Sequence, residues 1–183
     1  QPSQVVDEFE KKLLGAFQVA ASDVKVQVEW NEKRVRVYRQ VGYLRHQLKK
    51  EDFRNNKVDA AEISAAESGN AMYVVQVDEG GEGPLGVVRV RYKKPFTREY
   101  TELEWSLAYE EAALPLEQSS PAMKLASVSA TFAEWLARNP YSEGVQLADL
   151  QGLMAGLASV YGTDPRPAQL EEMIRKARIL DGN

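Results

Sequence analysis

The chain has 183 residues, 44% of them apolar and 27% charged, enough for a packed core under a well-solvated surface. Its net charge of −4 supplies no global basic field for nucleic acid, and the absence of cysteine excludes thiolate metal sites, cysteine nucleophiles and disulfides. No apolar run approaches the length of a membrane span and no signal peptide opens the sequence, so a soluble fragment is expected.

Val6, Phe9, Leu13, Phe17 and Ala20 recur at helical spacing, which predicts an amphipathic helix over residues 3–22 that Asp23 breaks. The opening "QPSQVVDEFEKKLLGAF" enters mid-helix, as expected of a piece cut from a longer protein. The period then changes to two. In "VKVQVEW" Val24, Val26, Val28 and Trp30 take one face and Lys25, Gln27 and Glu29 the other. "RVRVYRQV" is expected to run back beside it as a hairpin through Asn31 and Glu32. Further strands are predicted at 71–77, 87–93 and 101–107, with a glycine-rich turn "DEGGEGPLG" and the connection "KPFTREY" between them. An acidic linker follows over 109–120. Ser120-Pro121 reads as a helix start, with serine as N-cap and proline at the first helical position. Leu125, Val128, Phe132, Trp135 and Leu136 make one apolar stripe, ending at Asn139-Pro140. Leu150, Leu153, Met154, Leu157 and Tyr161 make a second, closed by Gly162. Leu170, Met173, Ile174, Ala177 and Leu180 make a third, opened by Asp164-Pro165. The fold class expected is α+β: an antiparallel β-sandwich or curved sheet, then a C-terminal helical segment, with one N-terminal helix. The divisions are 1–22, 23–110 and 111–183, the last expected to pack on the sheet.

The basic stretches 33–39 and 89–94 resemble nucleic-acid contacts at first sight. Alternation instead sets Arg34 and Arg36 against Glu29 and Gln27 across the hairpin. It sets Arg89, Arg91 and Lys93 against Glu102 and Glu104, so both stretches are read as salt-bridged sheet faces without nucleic acid. His46 is the only histidine, which leaves no base for a Ser-His-Asp triad and no second imidazole for zinc. "GGEGPLG" lacks the lysine and the strand–helix setting of a phosphate loop. The stretch "EDFRNNKVDAAEI" (51–63) crowds oxygen side chains between two apolar runs, but misses the ligand register and the glycine of an EF-hand. It reads as a structural loop that includes Glu62, with the Asx groups Asp52, Asn55, Asn56 and Asp59 satisfying backbone and Phe53, Val58 and Ile63 inward. A hydrolase using Asp52, Asp59 and Glu62 lacks a base, metal ligands and an oxyanion motif.

Taken together, "DVKVQVEWN", "VYRQVGYLRHQL", "EDFRNNKVDAAEI" and "VRVRYKKP" resemble a domain of unknown function that follows the von Willebrand factor type A domain in bacterial proteins. The pattern falls at Val28–Asn31, Tyr38-Arg39, Gly42-Tyr43, Glu51–Phe53, Asn55, Val58–Ala60, Glu62-Ile63, Tyr73 and Arg91–Lys93. Trp30 stands for the family's phenylalanine and Ala61 for the glycine usual before the glutamate.

The resemblance implies that residues 1–22 correspond to the last helix of a von Willebrand domain, detached from the sheet it covers. The magnesium loop of such a domain, Asp-x-Ser-x-Ser, does not occur here, so no cofactor and no metal are expected in this fragment. It implies a non-enzymatic accessory domain that positions or regulates a metal-dependent protein-binding domain in the periplasm or cell envelope. Its partners would be the upstream domain, protein ligands and, through the N-terminal helix, a second copy. The alternative is a self-sufficient β-sandwich that binds carbohydrate or protein through exposed Tyr38, Tyr43 and Tyr100.

Overall fold

The computed structural model describes residues 19–42, 49–58, 60–64 and 68–182. The chain divides into two compact units, with the boundary after the last strand falling between Glu110 and Glu111. Strands and helices segregate along the chain, which makes the fold α+β.

Among its described residues the first unit holds six strands: β1 (Val19–Trp30), β2 (Val35–Val41), β3 (Ala61–Ser64), β4 (Met72–Val77), β5 (Gly86–Lys93) and β6 (Tyr100–Leu107). Four of them form one sheet in the order β3-β1-β5-β6, antiparallel throughout; β2 and β4 form a second. The expected β1–β2 hairpin is therefore absent. The reason lies at the corner. Asn31 Nδ2 donates to the carbonyls of Glu82 (2.7 Å) and Pro84 (2.8 Å). Arg34 donates to the carbonyls of Asp78, Glu79 and Gly83, with its guanidinium 4.0 Å from the Tyr109 ring centre. The turn after β1 is thus fastened to the glycine-rich loop before β5. Both connections change sheets at one place, as strands do at sheet corners. Arg36 then pairs with Asp78 and not with Gln27 or Glu29. Gly81 is required here, because a Cβ would lie 2.1 Å from the Lys33 carbonyl oxygen.

β1 also begins earlier than the helical stripe implied. Residues 19–22 are strand, with Val19 opposite Ser64, Ala21 opposite Ile63 and Ser22 opposite Lys93. Asp23 breaks the regularity as a bulge inside the strand, in the left-handed region at φ +51°, and not as a helix end. The rest of the expected N-terminal helix, with Val6, Phe9, Leu13 and Phe17, lies outside the described residues, as do Tyr43, His46 and Asp59.

The second unit consists of α1 (Pro121–Leu136), α2 (Leu147–Met154), the single turn α3 (Leu157–Val160) and α4 (Arg166–Asp181). Ser120 caps α1 by accepting from the Met123 N–H, with Pro121 at the first position, as expected. Val128, Phe132, Leu147, Leu150, Met154, Leu157 and Ile174 form its core, with Leu125, Trp135, Leu153, Leu170 and Ala177 around it. The second stripe is interrupted where Gly156 turns left-handed (φ +78°), so α2 and α3 are separate helices. Leu136, Met173 and Leu180 fall off the buried faces and are exposed.

Candidate functional site

One face of the four-stranded sheet carries charge. The register places Gln27 beside Arg89 and Arg89 beside Glu104; Lys25 lies beside Arg91 and Arg91 beside Glu102. Over this face lies a 3-10 turn, Lys50–Arg54, from the stretch 51–63. Phe53 is its buried anchor, at 5% exposure.

Polar contacts fasten the turn at several points. Lys50 Nζ pairs with Glu29 (3.2 Å), and Arg54 grips both carboxylate oxygens of Glu102 at 2.7 and 3.1 Å. Lys25 is almost wholly buried, and its ammonium donates to the Asn55 carbonyl at 2.6 Å with Asp23 at 3.5 Å. Arg91 donates to Asn56 Oδ1 at 2.8 Å, and its guanidinium lies 3.8 Å from the centre of the Tyr100 ring. Tyr100 in turn donates to Asp23 Oδ2 at 2.7 Å. A cleft of about 440 Å³ remains, lined in part by Glu29, Lys50, Phe53, Arg54, Arg89 and Glu104.

Electrostatics fix the protonation states. Hydrogen bonds from Arg89 and Lys50 hold the Glu29 carboxyl below its ordinary range. The hydrogen bond from Arg54 does the same for Glu102. Arg89 sits between Glu29 and Glu104, and both raise its pKa further. The Asp23 carboxylate accepting from Tyr100 keeps that phenol protonated to higher pH. The Glu29 and Glu102 carboxylates are therefore ionised at neutral pH, suited to holding cations in place and unsuited to donating protons.

Of the family-motif residues, Asp52, Phe53 and Asn55 lie together in this turn, while Glu62 is exposed on β3. Asp52 accepts from Asn55 Nδ2 at 3.2 Å, and Asn55 Oδ1 accepts from the Lys57 N–H, so amide-to-backbone turn chemistry is present. Val58 and Ile63 are half-buried. Among the described residues no three acidic or histidine side chains converge as a metal site.

Two expectations are corrected. Lys25, placed on the polar face with Gln27 and Glu29 by alternation, is the most deeply buried charge among the described residues of the unit, because the 49–58 segment covers that face. Tyr100, expected as an exposed binding aromatic, is half-buried under Arg91 and bonded to Asp23. Tyr38 is exposed, at 57%, beside Trp30 and Tyr73 with ring centres 5.5 and 5.4 Å away from the Trp30 ring. Sequence reasoning missed the roles of Lys25 and Arg34. Neither had a local signal: Lys25 and Arg91 are neighbours only through the β1–β5 pairing, and the carbonyls that Arg34 reaches lie 44 to 49 residues away.

A family model described as "Uncharacterized protein YfbK, C-terminal" matches residues 15–83 and 76–180, nearly the whole chain. The chain belongs to the YfbK C-terminal family. The clamped sheet face and all but the last three residues of the helical unit lie within the matched span of the family. The uncharacterized protein YfbK of Escherichia coli strain K12 is 51% identical over 45 residues, which is 25% of this chain and 8% of that relative. The match therefore spans a small fraction of the relative's length. No solved structure matches.

Proposed function

We propose that the chain is a non-catalytic accessory domain of a bacterial protein carrying a von Willebrand type A domain, positioning or regulating that domain's metal-dependent protein binding at the cell envelope. The observation that carries this reading is the second face of the sheet. There Val26, Val90 and Leu103 stand in one row, and Val28, Val88 and Trp105 in the next. Val26 is 54% exposed, Leu103 41% and Trp105 51%. Contiguous apolar surface of this kind on a sheet is what a neighbouring domain covers. The opposite face favours the non-catalytic part of the reading, since Glu29, Glu102 and Glu104 are all engaged by Arg or Lys.

The test uses the parent protein with a flexible Gly-Ser spacer inserted ahead of Val19, outside the paired part of β1. Hydrogen exchange of β1 and β6 is followed with and without magnesium and a protein ligand. The reading expects protection to respond in the unmodified protein and to lose that response with the spacer. No response in either form, or turnover of an ester or glycoside substrate by this chain, contradicts it.

A further inference from the structure

The β5–β6 hairpin ends in "KPFTRE", and its apex is an anomaly on two counts. Phe96 is 99% exposed, and its backbone lies in the left-handed region at φ +59°. Pro95 precedes it, and the Thr97 N–H closes back on the Lys94 carbonyl at 3.2 Å. Proline second and a left-handed residue third is the pattern of a type II turn, whose third position favours glycine or asparagine. Neither packing nor backbone geometry therefore selects phenylalanine here. A residue that local physics disfavours, held outward with no apolar neighbour of its own, points to a role beyond the fold.

The surroundings define what the ring meets. Lys93, Lys94 and Arg98 flank it, while Glu99 is the one anion of the tip and is paired with Lys94 at 3.2 Å. Among the described residues neither Lys93 nor Arg98 has an ionic partner, so the tip is cationic on a chain whose net charge is −4. The turn is rigid. Lys94 N–H donates to the Glu99 carbonyl, Thr97 Oγ1 donates to the Lys94 carbonyl, and the Glu99 N–H donates to Thr97 Oγ1.

An aromatic anchor for a protein pocket is ordinarily ringed by further apolar contacts that exclude water. This one has Lys94 and Arg98 two residues away on either side, with Lys93 at the end of β5. An aromatic apex with lysine and arginine on both sides instead matches an anionic lipid interface, where the ring enters the acyl boundary and the cations meet phosphates. At physiological ionic strength charges act over about 8 Å, so the tip's own sign governs and the acidic remainder of the chain is screened. We infer that the β5–β6 tip, through Phe96 with Lys93 and Arg98, is a contact site for the surface of an anionic membrane. One apex of this size binds weakly and reversibly, as a single anchoring signal does. It serves to orient the sheet unit and not to hold it alone.

The experiment is co-sedimentation of the full chain with vesicles of phosphatidylcholine alone and of phosphatidylcholine mixed with phosphatidylglycerol. Binding is expected to the mixed vesicles only, and to fall as salt rises. Phe96→Gly is the decisive variant, because glycine suits the left-handed turn position. Its thermal midpoint should be unchanged or higher, yet its vesicle binding should drop about tenfold or more. Lys93→Gln and Arg98→Gln should each weaken binding about fivefold. Absent binding by the unaltered chain, equal binding to neutral vesicles, or undiminished binding by Phe96→Gly would overturn the inference and leave the apex to a protein partner.

Discussion

Lys25 shows how a buried charge holds two chain segments together. Its ammonium has left water entirely, which is tolerable only because the Asn55 carbonyl and the Asp23 carboxylate surround it. Replacing it by methionine keeps the volume but leaves both oxygens without their cation. Lys25→Met should therefore lose about 3 kcal/mol in urea-induced unfolding. An exposed lysine would lose almost nothing, so a change below about 0.5 kcal/mol would contradict the burial. Arg34 supports a second prediction. Lysine retains its charge but not the planar fork that reaches three carbonyls and stacks on Tyr109. Arg34→Lys should lower stability by about 2 kcal/mol, measured the same way. At this scale the sequence was half legible. Period-two alternation sorted Arg89 and Glu104 onto one face correctly. Alternation gives only the side of the sheet, however, and whether that side is covered depends on a segment some thirty residues along the chain.

The elements themselves were legible where their signals are local. The serine-proline start of α1, the strands β4, β5 and β6, and helices over the three stripes, the second split at Gly156, all appear near their expected positions. Failure came where two distant stretches compete for one partner. Adjacent alternating runs with a short turn read as a hairpin, but Asn31 and Arg34 bind the 78–85 loop and direct β2 to β4. The paired carboxylates give a prediction at this scale. In α4 the hydrogen bond from Arg175 holds Glu172 at about 2, below its ordinary 4.5. Glu29 and Glu102 on the sheet face are likewise lowered by their Arg and Lys partners. A folded value below the unfolded one contributes stability above the unfolded pKa and loses it as pH falls through the folded one. The thermal midpoint should therefore be flat on the acid side down to about pH 4.5 and then decline toward about pH 2. Glu172→Gln should shorten that decline, and a midpoint that rises on acidification would contradict these pairings.

Across the whole molecule the two units are held by different physics. The helical unit has a conventional apolar core built from seven buried side chains. Among the described residues of the sheet unit only Val35 and Phe53 are buried apolar side chains, alongside Lys25, Arg34 and Arg91. The sheet unit thus depends on polar fastening to a degree that its apolar composition concealed, and its oxygen-rich stretch is the fastener. Polar contacts to lysine and arginine hold residues 49–58 on the sheet, and a metal titration tests this most directly. Thermal unfolding of the chain is recorded with calcium, with magnesium and with a chelator, for the native sequence and for Asp52→Asn. One midpoint is expected for the native chain under all three conditions, because lysine and arginine already occupy the places a cation would take. A saturable rise in midpoint with either metal, abolished in Asp52→Asn, would contradict this.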